Sequence, residues 1–178
     1  ADTSLSQEER KNLMIEEDIL CLPILKKGKV ISLQTLNEAL EPKKYDNPVF
    51  LMAGGFGKRF RPLTEDVPKP LLKLGDKPIL EIILERLAKT GFHKFYISTH
   101  YKPELVRKHF GNGKKWNVKI TYIHEKMPLG TGGSLGLLPI EKIRSPVLVM
   151  NGDLLTNLDF NDFMRFHDLS GAEATICV

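Results

Sequence analysis

The chain has 178 residues, of which 42% are hydrophobic and 27% charged, a composition that is usual for globular proteins and gives no argument for a disordered or fibrous protein. No apolar run approaches the ~20 residues that a membrane-spanning helix needs, and the polar first residues lack a secretion signal, so we expect a cytoplasmic protein with no membrane partner. The formal net charge is +4, but a single tryptophan and the lack of a basic stripe interleaved with aromatic residues argue against a nucleic-acid partner.

The first 46 residues predict a small α+β segment. Hydrophobic patterning and turn residues indicate, in chain order, a helix, two strands and a second helix, at residues 7–17, 20–25, 30–33 and 35–40. Thr35 is followed by Glu38 in the pattern of a capping box, which favours a helix start at this point.

The hairpin within this segment reads Cys-Leu-Pro-Ile-Leu-Lys-Lys-Gly-Lys-Val-Ile-Ser-Leu-Gln-Thr-Leu and resembles the closing part of a CBS motif. That resemblance implies a ligand-sensing remnant, and the alternative is a small satellite that only packs against the main domain. Residues 41–48 contain two prolines and are typical of a linker. We therefore expect a partial CBS-like segment with its linker at residues 1–46 and a separate domain at residues 47–178.

The two cysteines, Cys21 and Cys177, lie far apart in the sequence and lack the spacing of a metal site. Both have apolar neighbours in the sequence. We expect packed, reduced thiols at these positions.

After residue 47, short apolar runs alternate with amphipathic stretches, which is typical of α/β folds. The apolar runs predict strands at residues 49–53, 94–99, 118–123, 147–151 and 174–178. The amphipathic stretches predict helices at residues 79–90 (ended by Gly91), 103–110, 131–138 and 160–169. We expect a Rossmann-like, doubly wound, mostly parallel sheet whose ligands lie beyond the carboxyl ends of the strands. Because the chain stops on a strand, we expect the domain to continue past residue 178.

A glycine-rich loop follows the strand predicted at residues 49–53. Gly54, Gly55 and Gly57 let backbone N–H groups approach phosphate oxygens without obstruction by a Cβ atom. A Walker A loop is excluded, because Lys58 is followed by arginine rather than Ser or Thr. The dinucleotide fingerprint is also excluded, because Phe60 stands where its third glycine is required.

The loop and its continuation read Gly-Gly-x-Gly-x-Arg, then Pro-Leu-Thr, then Pro-Lys-Pro, and resemble the signature of the sugar-phosphate nucleotidyltransferases. The resemblance implies that the loop wraps a triphosphate, that Arg59 steadies the departing pyrophosphate and that Lys69 contacts phosphates at the reacting centre. The alternatives are a tight surface turn for the glycines and a solvated basic face for Arg59 and Lys69. In this part of the chain the nucleotide-binding residues expected are Leu51, Ala53, Gly54, Gly55, Gly57 and Lys58.

A second motif, Glu-Lys-Met-Pro-Leu-Gly-Thr-Gly-Gly-Ser, begins at Glu125 after a predicted strand. It is similar to the Pro-Leu-Gly-Thr-Ala-Gly element of the same family, with Gly132 where alanine is common. The resemblance implies that Glu125, Gly130 and Thr131 lie against the nucleotide base. It implies the same for Tyr101, which falls where some relatives place a side chain that contacts the base. The alternative is a helix N-terminus capped by Thr131.

A third motif, Asn-Gly-Asp, ends the strand predicted at residues 147–151. The carboxylate of Asp153 then lies in the expected ligand crevice, and Mg²⁺ is usually held by one or two carboxylates together with phosphate oxygens. The family resemblance implies the same role, so Asp153 is the predicted metal ligand and Mg²⁺ the predicted cofactor. The alternative is an aspartate of an ordinary turn. We expect Asp159 and Asp162 to cap the following helix.

Together the motifs predict an enzyme that joins a nucleoside triphosphate to a sugar 1-phosphate, giving a nucleotide-sugar and pyrophosphate, with Arg59, Lys69 and Asp153 as catalytic residues. The combination of a CBS-like leader with this loop resembles the guanylyltransferases of the mannose 1-phosphate group, which favours GTP as the nucleotide. UTP, CTP and dTTP stay open as alternatives. Homo-oligomerisation of the protein also stays open. The alternative function is a catalytically inactive regulatory or nucleotide-sensing subunit on the same fold. Retention of all three catalytic residues favours an enzyme.

Overall fold

The computed structural model describes residues 5–40 and 44–178, apart from the side chains of Gln7, Lys58 and Thr131. The chain divides into two compact units, Ala1–Lys43 and Lys44–Val178. Among the helices of the described ranges, none has the length and apolar character to span a membrane.

The first unit is a hairpin flanked by two helices. Its elements are α1 (Gln7–Glu16), β1 (Cys21–Lys26), β2 (Lys29–Thr35) and α2 (Leu36–Leu40), and β1 pairs with β2 in antiparallel fashion. The predicted capping box is confirmed: the Thr35 backbone N–H donates to Glu38 at 2.7 Å, and the Glu38 N–H donates to the Thr35 hydroxyl at 3.2 Å. A small apolar core joins the hairpin to the helices, and consists of Met14, Leu22, Ile24 and Ala39.

Both cysteines are free, as predicted, but both are exposed, so the prediction of packed thiols is wrong. Side chains alternate between the two faces of a strand. In β1 this alternation directs Leu22 and Ile24 into the core, and Cys21 therefore falls on the opposite face.

The second unit contains the predicted α/β sheet. Its elements are β3 (Val49–Met52), β4 (Lys73–Leu74), β5 (Lys77–Pro78), α3 (Ile79–Thr90), β6 (Lys94–Thr99), α4 (Pro103–Phe110), β7 (Lys119–His124), α5 (Gly130–Gly133), β8 (Leu148–Asn151) and α6 (Phe160–Ser170). Four strands form a parallel sheet in the order β7-β6-β3-β8, and β4 and β5 form a separate antiparallel pair. The predicted Rossmann-like, mostly parallel architecture is confirmed.

The main core lies between this sheet and its helices. Leu80, Ile83, Leu84 and Leu87 recur at helical spacing along one side of α3, and all are buried in the same apolar cluster as Val49 and other strand residues. Gly91 ends the helix in a left-handed conformation with φ of +112°, as the sequence predicts. The sequence of α3 by itself therefore accounts for the formation and the end of this helix, which covers one face of the sheet.

A buried acid joins α3 to α4 and the following turn. Glu81 accepts hydrogen bonds from His109 Nε2 at 2.6 Å and from Lys115 Nζ at 3.0 Å. Burial by itself raises the pKa of Glu81, but these hydrogen bonds and the charges of their donors bring that pKa below its ordinary value. The stability that these contacts of Glu81 contribute is fully present above the ordinary pKa of glutamate. It is lost as pH falls through the lowered pKa of the folded protein.

The strand order places a ligand crevice at one end of the sheet. The connections from β3 to β6 and from β6 to β7 run in one direction, whereas β8 pairs with the other side of β3. Because β6 and β7 extend the sheet on one side of β3 and β8 extends it on the other, the strand order reverses between β3 and β8, and a crevice is expected at their carboxyl ends. The loops that follow Met52 and Asn151 border it, and the Gly152 N–H donates to the Met52 carbonyl at 2.8 Å.

Two predicted elements differ in the structure. Residues 174–178 form no strand, because a strand requires a pairing partner and none of the strands in the sheet pairs with them; Ile176 is 82% exposed. The helix predicted at residues 131–138 is divided into α5 and a 3₁₀ turn, Ser134–Leu137. Three glycines in this stretch lower its helix propensity, and we take them as the cause of the division.

Candidate active site

A cleft of about 620 Å³ occupies the carboxyl ends of β3 and β8. The glycine loop, the Pro-Lys-Pro turn, the second motif and the Asn-Gly-Asp motif all contribute to its lining. The predicted site residues in the lining are Ala53, Gly54, Gly55, Gly57, Arg59, Lys69, Glu125, Gly130 and Asp153. The three motifs, which lie far apart in the sequence, therefore form one concave surface.

The glycine loop is closed against the Pro-Leu-Thr element. The hydroxyl of the buried Thr64 donates to the Gly57 carbonyl at 2.8 Å. Gly57 has a φ of +62°, and a Cβ atom there would lie 2.9 Å from Thr64 Cγ2 and 3.2 Å from Lys69 Cβ. By contrast, a Cβ atom on Gly55 would meet nothing within 4 Å. Only glycine fits at position 57 without displacing its neighbours.

We expect Gly57→Ala to lower the free energy of unfolding by about 1–3 kcal/mol, because left-handed backbone and a crowded Cβ are both unfavourable for alanine. Gly55→Ala is the matched control in the same loop and should leave stability within about 0.5 kcal/mol of the wild type. Urea unfolding of the ligand-free chain, followed by circular dichroism, measures both values. Equal stability of the two variants would contradict this account of the loop.

Lys69 and Asp153 form an ion pair inside the cleft, with side chains 27% and 34% exposed. Lys69 begins the 3₁₀ turn Lys69–Leu71, and the buried Pro68 and Pro70 flank it. Its Nζ also lies 4.6 Å from the centroid of the Phe60 ring. The backbone of the turn is therefore fixed, and the ammonium lies between a carboxylate and an aromatic face.

Arg59 is an exposed cation in the lining of the same cleft, in the 3₁₀ turn Lys58–Phe60. With Lys69 and Asp153 it completes the set of two cations and one carboxylate that the sequence predicts to act together. These groups border one cleft, which is the arrangement that binding of a polyanion requires.

Glu125 provides a second carboxylate, which is only 5% exposed. Its backbone N–H donates to the Thr99 carbonyl at 2.9 Å, and its own carbonyl lies 2.6 Å from His100 Nδ1. Its side chain accepts from the Leu129 N–H at 3.4 Å. A Cβ atom on Gly54 would lie 2.5 Å from Glu125 Oε1, so the glycine permits the close approach of this carboxylate to the loop.

Four of the predicted nucleotide-binding residues have no described side chain in the lining of the cleft. Leu51 is fully buried within β3, and the hydroxyl of Tyr101 donates to the Glu65 carbonyl at 2.7 Å. The side chains of Lys58 and Thr131 lie outside the described part of the structure. A role for these residues stays a prediction.

The predicted helix caps have different outcomes. Asp159 caps α6, since its Oδ1 accepts from the Asn161 and Asp162 N–H groups at 2.7 and 3.2 Å. Asp162 does not cap this helix but pairs with Arg165. The N-cap of α5 is Leu129, so the alternative in which Thr131 caps this helix is wrong; Thr131 lies within its single turn.

Sequence reasoning missed several residues of the lining. Ser98 is fully buried in β6 and accepts a hydrogen bond from the Ala53 N–H at 3.2 Å, which fixes the start of the glycine loop. A polar residue inside an apolar strand was the available signal. No pattern in the sequence indicates that Phe60 belongs to the site, because its contact with Lys69 depends on how the loop folds.

A metal at this cleft would depend on few protein ligands. Within the described residues, no group of three or more His, Cys, Asp and Glu side chains could hold a metal ion. Asp153, the predicted metal ligand, contributes one carboxylate to the lining of the cleft. A hard cation here would take its remaining ligands from a bound anion and water.

Residues 49–178 match the family model described as Nucleotidyl transferase. The chain belongs to this nucleotidyltransferase family. The family resemblance of the three motifs is thereby confirmed, and the matched residues include all of the cleft.

Individual nucleotidyltransferases are similar to the chain over the same region. The mannose-1-phosphate guanyltransferase of Schizosaccharomyces pombe is 40% identical over 131 residues, which are 72% of this chain and 36% of that protein. The mannose-1-phosphate guanylyltransferase of Mycobacterium tuberculosis is 35% identical over 126 residues, 71% of this chain and 35% of that protein. The match thus spans about a third of the length of these relatives.

Solved structures are also similar to this chain. HddC from Yersinia pseudotuberculosis, in complex with GMP-PN, is 30% identical with a TM-score of 0.60, and the match covers 68% of this chain and 54% of that one. A putative glucose-1-phosphate thymidylyltransferase from Bacillus anthracis has a TM-score of 0.64 at 23% identity, covering 71% and 51%, and shows the likeness of fold.

Proposed function

We propose that the chain is the nucleotide-binding part of an enzyme that joins GTP to a sugar 1-phosphate, with mannose 1-phosphate as the expected acceptor. The observation that carries the proposal is the convergence of Arg59, Lys69 and Asp153 on one cleft at the switch point of the sheet. The names of the two relatives described above support the choice of guanine and mannose.

The reaction is an in-line displacement at phosphorus. An oxygen of the sugar 1-phosphate attacks the α-phosphorus of GTP, the bond from this phosphorus to the bridging oxygen breaks, and pyrophosphate leaves with the electron pair. The protein forms no covalent bond in this step. Its contribution is placement of the two phosphates and neutralisation of the charge that builds up between them.

The cleft supplies two cations for this purpose. Arg59, on the glycine loop, would bind the β- and γ-phosphates and so stabilise the departing pyrophosphate. Lys69, on the fixed turn between two prolines, would bind oxygens next to the α-phosphorus. A hydrogen bond between charged groups contributes about 1.5–3 kcal/mol, so two such donors account for a substantial part of the affinity for the triphosphate.

Magnesium fits the donor set of this cleft. Mg²⁺ is commonly held by one or two carboxylates and by phosphate oxygens, and Asp153 provides one partly exposed carboxylate beside the expected phosphate position. When bound, the ion would polarise phosphoryl oxygens and neutralise their charge. We therefore propose Asp153 as a ligand of catalytic magnesium.

Glu125 supports guanine as the preferred base. The Watson–Crick edge of guanine carries two adjacent donors, N1–H and the N2 amino group, and a carboxylate can accept from both. Uracil and thymine present one donor between two acceptors and leave such a carboxylate less well satisfied. The restricted position of Glu125 beside Gly54 means that it offers its acceptors with little freedom to move away.

The test is a panel of GTP, UTP, CTP and dTTP. In calorimetry with Mg²⁺, this 178-residue chain should bind GTP at least about tenfold more tightly than the pyrimidine nucleotides. The complete gene product should release pyrophosphate from GTP and mannose 1-phosphate, whereas this chain alone should turn over poorly. Equal binding of all four nucleotides would contradict the base assignment, and no pyrophosphate release with any sugar 1-phosphate would favour the inactive-subunit alternative.

A further inference from the structure

The Lys69–Asp153 ion pair has a consequence for how the metal reaches its site, provided that the proposed function is correct. In the structure, the ammonium of Lys69 contacts the same carboxylate that we assign to magnesium. Both side chains are about two-thirds covered, so the contact is partly shielded from solvent. A divalent cation that approaches Asp153 therefore meets a positive charge already in place.

Electrostatic repulsion makes the two cations competitors at Asp153 as long as no anion is bound. A nucleoside triphosphate changes this balance, because it brings several negative charges and alternative partners for the ammonium. The metal then no longer faces an unscreened lysine, and Lys69 exchanges a carboxylate for phosphate oxygens. Metal and nucleotide are expected to favour each other's binding reciprocally.

The local structure allows this exchange without rearrangement of the backbone. The turn around Lys69 is closed by hydrogen bonds from the Leu71 N–H to the Pro68 carbonyl at 2.8 Å and from the Leu72 N–H to the Lys69 carbonyl at 3.0 Å. The aromatic face of Phe60 offers the ammonium a favourable contact that does not depend on the carboxylate. Rotation about the bonds of the lysine side chain is sufficient to move its charge.

We propose that Lys69 is a placeholder counter-ion for Asp153, which keeps the carboxylate from binding a divalent cation until the nucleotide arrives. The magnesium ion is thereby taken up together with the triphosphate rather than before it. Lys69 thus has two successive partners: Asp153 in the free protein and a phosphate group in the complex.

Binding of Mn²⁺ in the absence of nucleotide tests this proposal, because the paramagnetic resonance of free Mn²⁺ reports binding without any turnover. Lys69→Met removes the charge and keeps an unbranched side chain. We expect it to bind Mn²⁺ alone about tenfold more tightly than the wild type, within the usual range of coupling between two sites. The gain should disappear in the double variant with Asp153→Asn, which identifies the carboxylate as its origin.

Arg59→Met is the matched control, since it removes a cation from the same cleft that forms no ion pair with Asp153 among the described residues. It should weaken nucleotide binding and leave the affinity for Mn²⁺ alone within about twofold of the wild type. Lys69→Gln serves as a second variant, and circular dichroism verifies folding of each protein. Wild-type affinity for Mn²⁺ alone in both Lys69 variants would overturn the proposal.

The outcomes separate this inference from the proposed function. If Asp153→Asn retains nucleotide-dependent Mn²⁺ binding, the assignment of the metal ligand fails, and the placeholder role fails with it. If Asp153→Asn abolishes that binding while both Lys69 variants bind Mn²⁺ alone as weakly as the wild type, only the placeholder role is refuted.

Discussion

Asp153→Asn is expected to reduce magnesium-dependent turnover by at least about 100-fold, because a bound metal contributes several kcal/mol of charge stabilisation in a transition state and each 1.36 kcal/mol corresponds to a factor of ten. The amide oxygen of asparagine is a neutral and weaker ligand, so higher magnesium concentrations should restore little of the rate. Pyrophosphate release by the complete gene product, measured over a range of magnesium concentrations, gives the result.

The matched control is Asp162→Asn, which removes an exposed carboxylate from α6 that pairs with Arg165. This variant should keep the wild-type rate and magnesium dependence. Both variants should fold normally, because asparagine has nearly the same size and shape as aspartate and neither carboxylate is fully buried. A wild-type rate in Asp153→Asn would remove this residue from the metal site and leave the proposed mechanism without its carboxylate.

Glu125→Gln is expected to reduce the preference for GTP over UTP by about 10- to 100-fold, since a well-formed pair of hydrogen bonds to a base contributes roughly 1–3 kcal/mol of discrimination. Glutamine has nearly the same shape and can still accept from the Leu129 N–H. It presents one donor and one acceptor to the base instead of two acceptors, which suits a pyrimidine edge better than guanine. Competition binding among the four nucleotides to this chain measures the change.

Glu141→Gln provides the control, because Glu141 is an exposed glutamate in the separate 3₁₀ turn Ile140–Lys142. Its nucleotide preference should equal that of the wild type. The proposal for Glu125 also requires that affinity for inorganic triphosphate, which has no base, is the same in Glu125→Gln and in the wild type. An unchanged preference for GTP in Glu125→Gln would exclude this carboxylate from base selection.

Where sequence neighbours determine the conformation, prediction from the sequence succeeded. The spacing of Leu80, Ile83, Leu84 and Leu87 defines one face of a helix, and Gly91 supplies the left-handed residue that ends it. The capping box of Thr35 and Glu38 involves residues one helical turn apart. In each case the interacting groups lie close in the chain, and their pattern is visible before any tertiary contact forms.

Errors arose where an element depends on distant partners. Residues 174–178 have the composition of a strand, but strand formation requires pairing with another backbone, and none of the strands in the sheet pairs with them. The exposure of Cys21 follows from the face of β1 that meets the helices, which composition does not reveal. The division of the helix predicted at residues 131–138 is a different kind of error, because its cause is local: three glycines lower the helix propensity of this stretch.

The sequence alone determined which chemical groups the site would contain: a glycine loop after a strand, the cations Arg59 and Lys69, and the carboxylate of Asp153. Only the tertiary structure decided how these groups meet, because the strand order brings the ends of β3 and β8 together and so joins Lys69 to Asp153. It also placed the Phe60 ring next to the ammonium and buried Glu125 against Gly54. The physical reason is that local patterns record the preferences of neighbouring residues, whereas contacts between distant segments follow from the packing of the whole sheet.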